Sequence, residues 1–314
     1  MFRLFRRKPY LSIVMIVYKM PDQADKTLQS LSPAYQVGAE EEDYEVIVVE
    51  NSSDKNLGEE RATRHARNVR YFLRQETQRT PVHAVNFGAS KARGSHIAIM
   101  IDGARMVTPG VVGHMLQVFR MNPDAVVSTP GYHIGRKLQQ VAVNEGYDEK
   151  AEAKLLKSIR WPENGYRLFE IAVLSGSCQS GFFRPNSESN FIGLSVRKWK
   201  DIGGMDSRYD DFGGGNANLD LYKRLLDPPG VPFYLLFGEG SFHQFHGGVT
   251  TGTRSEERER VYRLLTEQDI AIRGEDRESP KAKPILFGTA RPPVYRFLRQ
   301  SLDKVHKQGK AEER

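Results

Sequence analysis

Three polar clusters each follow an apolar run in the first third of the chain. Tyr18-Lys19 follows Leu11 to Val17, Glu50-Asn51-Ser52-Ser53 follows Tyr44 to Val49, and Asp102-Gly103-Ala104-Arg105 closes Ile97 to Ile101. Carboxylates such as Glu50 and Asp102 accept hydrogen bonds from amine, imide or hydroxyl donors, and a guanidinium such as Arg105 can grip phosphate bidentately. Far along the chain, His243 and His246 stand three apart in FHQFHGG. Such a pair can ligate a metal or bind phosphate; it can equally cap a strand. Gly213, Gly214 and Gly215 follow Asp210 and Asp211, and glycines permit close backbone approach to a ligand and unusual dihedrals. Other chemistries are excluded by what is missing. No P-loop, no GxGxxG after the first strand, no GxSxG, HExxH or CxxC occurs. Cys178 is the single cysteine, which rules out a disulfide scaffold and suits a reducing compartment. No base is identifiable beside it to make it a nucleophile.

The elements that must position these residues alternate between strand and helix. Leu11 to Val17 reads as a buried strand and Pro21 to Leu31 as a helix with proline in its first turn. Strands follow at Tyr44 to Val49, Asn68 to Leu73, Ile97 to Ile101 and Ala125 to Thr129. Helices are predicted at Val82 to Ala92 and Val107 to Phe119. This alternation indicates βαβ units and a mostly parallel sheet. Ligands of such sheets bind beyond the carboxyl ends of the strands, where all three polar clusters fall. From Gly131 to Ser187 the pattern is weaker, with a helix at Glu149 to Ile159. Then come a strand at Phe191 to Val196, helices at Arg197 to Ile202 and Asn218 to Leu226, a strand at Phe233 to Phe237, and Ser241 to His246 as strand or loop. A charged helix spans Arg254 to Ile272, a linker Glu275 to Lys283, and a basic helix Val294 to His306.

Composition bounds the partners. With 314 residues and 39% hydrophobic content, the chain can bury a core. The net charge of +7 is concentrated at Arg3, Arg6, Arg7 and Lys8 and across 291–310. Solvated termini and attraction to an anionic membrane surface or anionic substrate both account for it. No nucleic-acid-binding motif accompanies the charge, so nucleic acid is not an expected partner. Leu11 to Val17 is far short of the ~20 residues that span a bilayer. It is β-branched and ends in Tyr18-Lys19 without a small-residue cleavage site, so it is a strand and not a signal peptide.

Segments 11–31 (LSIVMIVYKMPDQADKTLQSL), 44–54 (YEVIVVENSSD) and 84–105 (AVNFGASKARGSHIAIMIDGAR), in this order and spacing, resemble GT-A glycosyltransferases, the large inverting family 2 above all. Segment 190–225 resembles that family's acceptor side, and its GGGNANLDLYKRL is similar to a bacterial subgroup. The resemblance covers roughly residues 9 to 250. It implies an α/β GT-A (nucleotide-diphospho-sugar transferase) fold, a mostly parallel central sheet with helices on both faces. A domain over 1–273 would comprise a nucleotide-sugar half (9–130) and an acceptor half (131–250), with 274–314 as a basic helical tail.

The implied activity moves a sugar, in hexosyltransferase fashion, from a nucleotide-sugar donor to a cell-envelope glycan or lipid-linked acceptor. The implied setting is the bacterial cytoplasm, with peripheral contact at the inner membrane face through the basic termini. Glu50 matches the acid that binds the nucleoside, with Val17, Tyr18, Asn51, Asn86, Gly103 and Arg105 as further donor contacts. Asp102 matches the first acid of the DxD motif, which holds ribose and a divalent metal, manganese or magnesium. The second acid's place is Ala104, which weakens the case for that metal; Arg105 would then neutralise the leaving diphosphate. His243 and His246 match a late histidine that closes the metal site. The family's catalytic base falls at Asn216 or Ala217, neither an acid. Asp211, Asp210 and Asp220 are the nearby carboxylates, Asp220 being also placed to pair with Arg224 at i+4. Glu188 and Asn190 are acceptor candidates, and Trp161 is core or sugar platform. A non-catalytic nucleotide-sugar-binding protein on the same scaffold is the alternative.

Overall fold

A computed structural model describes residues 8–76, 80–210, 212–246, 255–275 and 278–312. In chain order the first half comprises β1 (Leu11–Val17), α1 (Pro21–Ser30), β2 (Tyr44–Asn51), α2 (Glu59–Thr63), β3 (Val69–Arg74), α3 (Val82–Ser90), β4 (His96–Met100), β5 (Arg105–Val107), α4 (Val111–Met121), β6 (Val126–Ser128) and β7 (Gly131–Ile134). The second half continues with α5 (Gln139–Ala142), α6 (Glu149–Ile159), β8 (Ala172–Leu174), β9 (Phe191–Ser195), α7 (Val196–Asp201), α8 (Ala217–Leu226), β10 (Phe233–Phe237), β11 (Ser241–His243), α9 (Ser255–Arg273), β12 (Ile285–Gly288) and α10 (Tyr295–Glu312).

The main sheet has eight strands in the order β12-β10-β6-β9-β4-β1-β2-β3. Only β9 runs against its neighbours β4 and β6. Strand β1 shows why the sheet is central. Leu11, Ile13, Met15 and Val17 point into a core with Leu28 of α1 and Met115 and Leu116 of α4. Val14 and Ile16 point the other way, toward Val82 and Val85 of α3 and Leu221 of α8. Alternate residues thus serve two cores, so both faces are covered and the strand reads as one continuous apolar run. The glycine at 88 lets α3 lie on the sheet, since a Cβ there would strike Val14 and come within 3.1 Å of Val49 Cγ2.

A smaller sheet, β5-β11-β7-β8, roofs a third core that includes Met106, Tyr132, Phe169, Phe242, Ile159 of α6 and Phe297 of α10. The small sheet accounts for one departure from the sequence reading and the main sheet for another. The predicted helix at 107 starts at Val111, because 105–107 pair with β11 instead. The segment after 274 supplies more than a helix, since β12 extends the main sheet beside β10. Trp161 belongs to the third core, 6% exposed and edge-on to Tyr35; Trp199 is likewise buried. Among the described residues no helix is long and apolar enough to cross a membrane.

Candidate functional site

The loop after β4 is fixed by backbone. Gly103 donates its N–H to Ile16 O at 2.7 Å, and a Cβ on it would sit 2.8 Å from the same oxygen. Only glycine allows this crossing over the end of β1. Ala104 N donates to Asp102 Oδ1 at 2.8 Å, an Asx-type turn that leaves Asp102 Oδ2 free to face outward. Ala104 itself is fully buried in the first core. A second acid at 104 would therefore be desolvated and could not reach a shared cation.

The small sheet supplies what position 104 lacks. In its register His243 lies opposite Arg105 and beside His133, so the three side chains share one face. His243 Nε2 stands 3.0 Å and His246 Nε2 3.4 Å from Asp102 Oδ2, and the two histidine nitrogens are 3.0 Å apart. Gln139 sets the tautomer. Its Nε2 donates to His243 O at 3.0 Å, so its Oε1, 2.5 Å from His243 Nδ1, must accept from that nitrogen. His243 Nδ1 thus carries the proton and Nε2 presents a lone pair. Three lone-pair atoms converge at Asp102, His243 and His246, and lone pairs so close repel unless a proton or a cation lies between them.

The charges follow from this geometry. Burial alone would raise the Asp102 carboxyl, but the neighbouring His246 imidazole holds it well below the usual carboxylate range. Burial lowers His246, yet the Asp102 carboxylate outweighs it and raises the imidazole overall. Burial pushes His243 down to about 4, and Arg105 adds to that lowering. His133 is lowered by burial and by its neighbours His243 and Arg105, and its Nδ1 accepts from Gln139 N at 3.2 Å. Without a metal, an N–H on His246 Nε2 can bridge to Asp102 Oδ2 and His243 Nε2. With one, the three side chains form an Asp-His-His set within 4.8 Å, and Gln139 is the outer hydrogen-bond partner that orients His243. These donors fit a divalent cation of manganese type better than a tightly held magnesium, because imidazole is a poor magnesium ligand.

Arg105 is 7% exposed. Its Nε and Nη1 find no hydrogen-bond partner among the described residues, and its closest carboxylate oxygen, Asp102 Oδ2, is 3.9 Å away. A buried guanidinium with idle donors is suited to an anion. Behind the histidines, Glu152 Oε2 accepts from Phe245 N at 2.7 Å, and burial raises its carboxyl to about 7.

The remaining sequence candidates are placed as follows. Glu50 is fully buried and accepts from Leu57 N, Gly58 N and Tyr71 Oη at 2.7, 3.1 and 2.6 Å, so it shapes the loop after β2. Asn51 beside it is buried, and its Oδ1 has no partner among the described residues. Val17 is buried and Tyr18 exposed at the end of β1. Asn86 bonds both ways to the backbone of Met205, tying α3 to the turn at 203–206. Asp220 is buried, with Oδ2 accepting from Arg224 Nε at 2.8 Å and Oδ1 from Arg273 Nε at 2.7 Å. Asp210 accepts from Gln268 at the surface. Asp211 lies outside the described residues. Gly213, Gly214 and Gly215 are all left-handed, at φ 73, 84 and 51°, and lead directly into α8. Glu188 and Asn190 lie where β9 begins, with Asn218 of α8 donating to Glu188 Oε2 at 2.8 Å. Gln139, His133 and Glu152 were not among the sequence candidates. They sit in the stretch of weakest periodicity; the pairing of β7 with β11 brings His133 to the site, while α5 and α6 bring Gln139 and Glu152.

Residues 12–188 match the family model of Glycosyl transferase family 2. No curated protein matches the chain at significant similarity. Among solved structures, S. aureus TarS 1-349 aligns at 13% identity and a TM-score of 0.51, over 83% of this chain and 65% of that one. The same protein in complex with UDP aligns at 13% identity and 0.50 over the same shares. A longer TarS chain aligns at 12% identity and 0.51, with 39% of its length covered. The chain thus spans less than two thirds of these neighbours, and the likeness is one of fold.

Proposed function

Because the chain belongs to glycosyl transferase family 2, we infer that it moves a sugar from a nucleoside diphosphate sugar to an acceptor hydroxyl, inverting the anomeric carbon. The observation that carries this reading is the convergence of Asp102, His243 and His246 beside the unpartnered Arg105 at the carboxyl end of the sheet. A diphosphate together with a divalent cation would satisfy the idle groups there. Arg105 would bind it through the free Nε and Nη1 donors, opposing the charge that grows on the departing oxygen. Asp102, His243 and His246 would hold a divalent cation, which when bound supplies further positive charge to the diphosphate. The buried, unpartnered Asn51 Oδ1 would accept from the nucleoside, while Glu50 keeps the loop beneath it in shape. The acceptor enters from the side of β9 and α8, and holding both reactants in one crevice supplies much of the acceleration.

A glycan or lipid-linked acceptor of the bacterial cell envelope, and a cytoplasmic site at the membrane face, are the finer form of this proposal. The exposed basic side of α10, including Arg299 and Lys307, supports attraction to anionic lipid. The test is a thermal-shift panel of UDP, GDP, CDP and dTDP sugars with and without manganese, with UDP first because TarS has been crystallised with it. At about 100 times its Kd a ligand adds about 2.7 kcal/mol of stability. A panel in which no nucleotide sugar raises Tm would refute the proposal. The burial of Ala104 and the lack of an acid at 216 and 217 favour a second reading, a binder without turnover. Measurable donor hydrolysis would exclude it.

A further inference from the structure

An inverting transfer needs a base for the acceptor hydroxyl, and the start of α8 offers no carboxylate of its own. Asn216 there donates to Asp269 Oδ2 at 2.6 Å and to Leu265 O, and Ala217 is buried. Asp220 is neutralised by two arginines. Another element fills the gap. We propose that Glu188 is the catalytic base, delivered to the head of α8 from the chain entering β9 and held there by Asn218 and Asn190. This rests on the donor reading above.

Three observations converge on Glu188. The antiparallel register pairs Phe191 with Met100, so the chain entering β9 runs in at the carboxyl end of β4, the end at which Asp102 stands. Asn190 Nδ2 donates to Glu188 Oε1 at 3.2 Å and Asn218 Nδ2 to Oε2 at 2.8 Å. Each carboxylate oxygen has two lone pairs, so one on each remains for an acceptor hydroxyl while both oxygens are fixed in direction. No cation pairs with Glu188 among the salt bridges of the described residues, in contrast to Asp220.

The step balances. The acceptor oxygen forms a bond to the anomeric carbon as the bond from that carbon to the phosphate oxygen breaks. The electron pair leaves with the diphosphate, facing Arg105. The hydroxyl proton passes to Glu188 and from there to solvent.

The test uses the full chain and whichever nucleotide sugar gives the largest thermal shift, with water and azide as acceptors. Azide brings no proton to remove. Glu188→Gln should leave the nucleotide thermal shift unchanged and lower donor hydrolysis about a hundredfold or more, while azide-dependent nucleotide release with glycosyl azide formation stays within about threefold of wild type. Glu188→Asp, which keeps a carboxylate, should recover part of the hydrolysis. Hydrolysis by Glu188→Gln within about threefold of wild type overturns the assignment. Equal loss of hydrolysis and azide transfer also overturns it, since that marks a positioning role. Loss of hydrolysis in Asp211→Asn with retention in Glu188→Gln would transfer the role to Asp211. A wild type with no nucleotide thermal shift defeats the donor reading itself and is scored separately.

Discussion

Replacing Arg105 by methionine should move stability and activity in opposite directions. Burying an ion costs several kcal/mol unless good hydrogen bonds repay it. Arg105 is 7% exposed with Nε and Nη1 unpartnered among the described residues. Its attraction to Asp102 acts at 3.9 Å, worth at most about 4 kcal/mol in a surface-like dielectric. That carboxylate is already engaged by two histidines, and His246, when protonated, repels the guanidinium. The attraction therefore falls short of the burial cost. Methionine keeps the aliphatic stem as far as the Nε position and needs no hydrogen bond, so Arg105→Met should stabilise the ligand-free protein by roughly 1–3 kcal/mol, a rise in Tm of several degrees. The same change should abolish the thermal shift given by UDP and lower donor turnover by about 10²–10³-fold, the usual effect of deleting one donor to a developing negative charge. Differential scanning fluorimetry with and without UDP, together with released-nucleotide assays, checks both halves. A fall in the ligand-free Tm would make Arg105 a structural cation. An undiminished UDP shift would remove it from the diphosphate site.

Further outcomes follow from the same contacts. Glu152, whose carboxyl is raised from 4.5 to about 7 by burial, is destabilising when ionised; a raised carboxyl favours the folded state below that range and loses this advantage as pH climbs through 7. Glu152→Gln should therefore stabilise the fold at pH 8 by on the order of 2–3 kcal/mol, read as a higher Tm, and change little at pH 5; equal effects at both pH values would contradict it. Gln139→Leu removes the acceptor for His243 Nδ1, so manganese affinity measured by calorimetry should fall about 10–100-fold, and unchanged affinity would dissociate Gln139 from the metal. Asp220→Ala strands two arginines that retain some solvent contact, so it should cost about 2–3 kcal/mol, below the 3–5 of a wholly buried pair. Its turnover per folded molecule should stay near wild type, and a loss above a hundredfold would make Asp220 catalytic. Gly88→Ala puts a methyl into Val14 and should cost about 1–3 kcal/mol in urea unfolding.

The sequence by itself determined most of the main sheet and the row of polar residues at the carboxyl ends of its strands. Strands β1, β2 and β4 are legible because both their faces are buried, which forces uninterrupted apolar runs. The ends of those runs place Tyr18, Glu50 and Asp102 at one edge, for strand direction alone dictates that. Local pattern records whether a side chain is covered; it does not record by what. Tertiary structure decided that Ala104 faces a core, that Asn86 is spent on Met205, and that Arg273 joins Arg224 on Asp220. The pairing of β5 with β11 decided more, because it set His243 opposite Arg105 and brought it to Asp102. Gln139 and Glu188 acquire their meaning the same way, through partners distant in the chain. Spacing along a sequence carries no information about such contacts, since they depend on the register between strands that fold together from opposite ends of the domain.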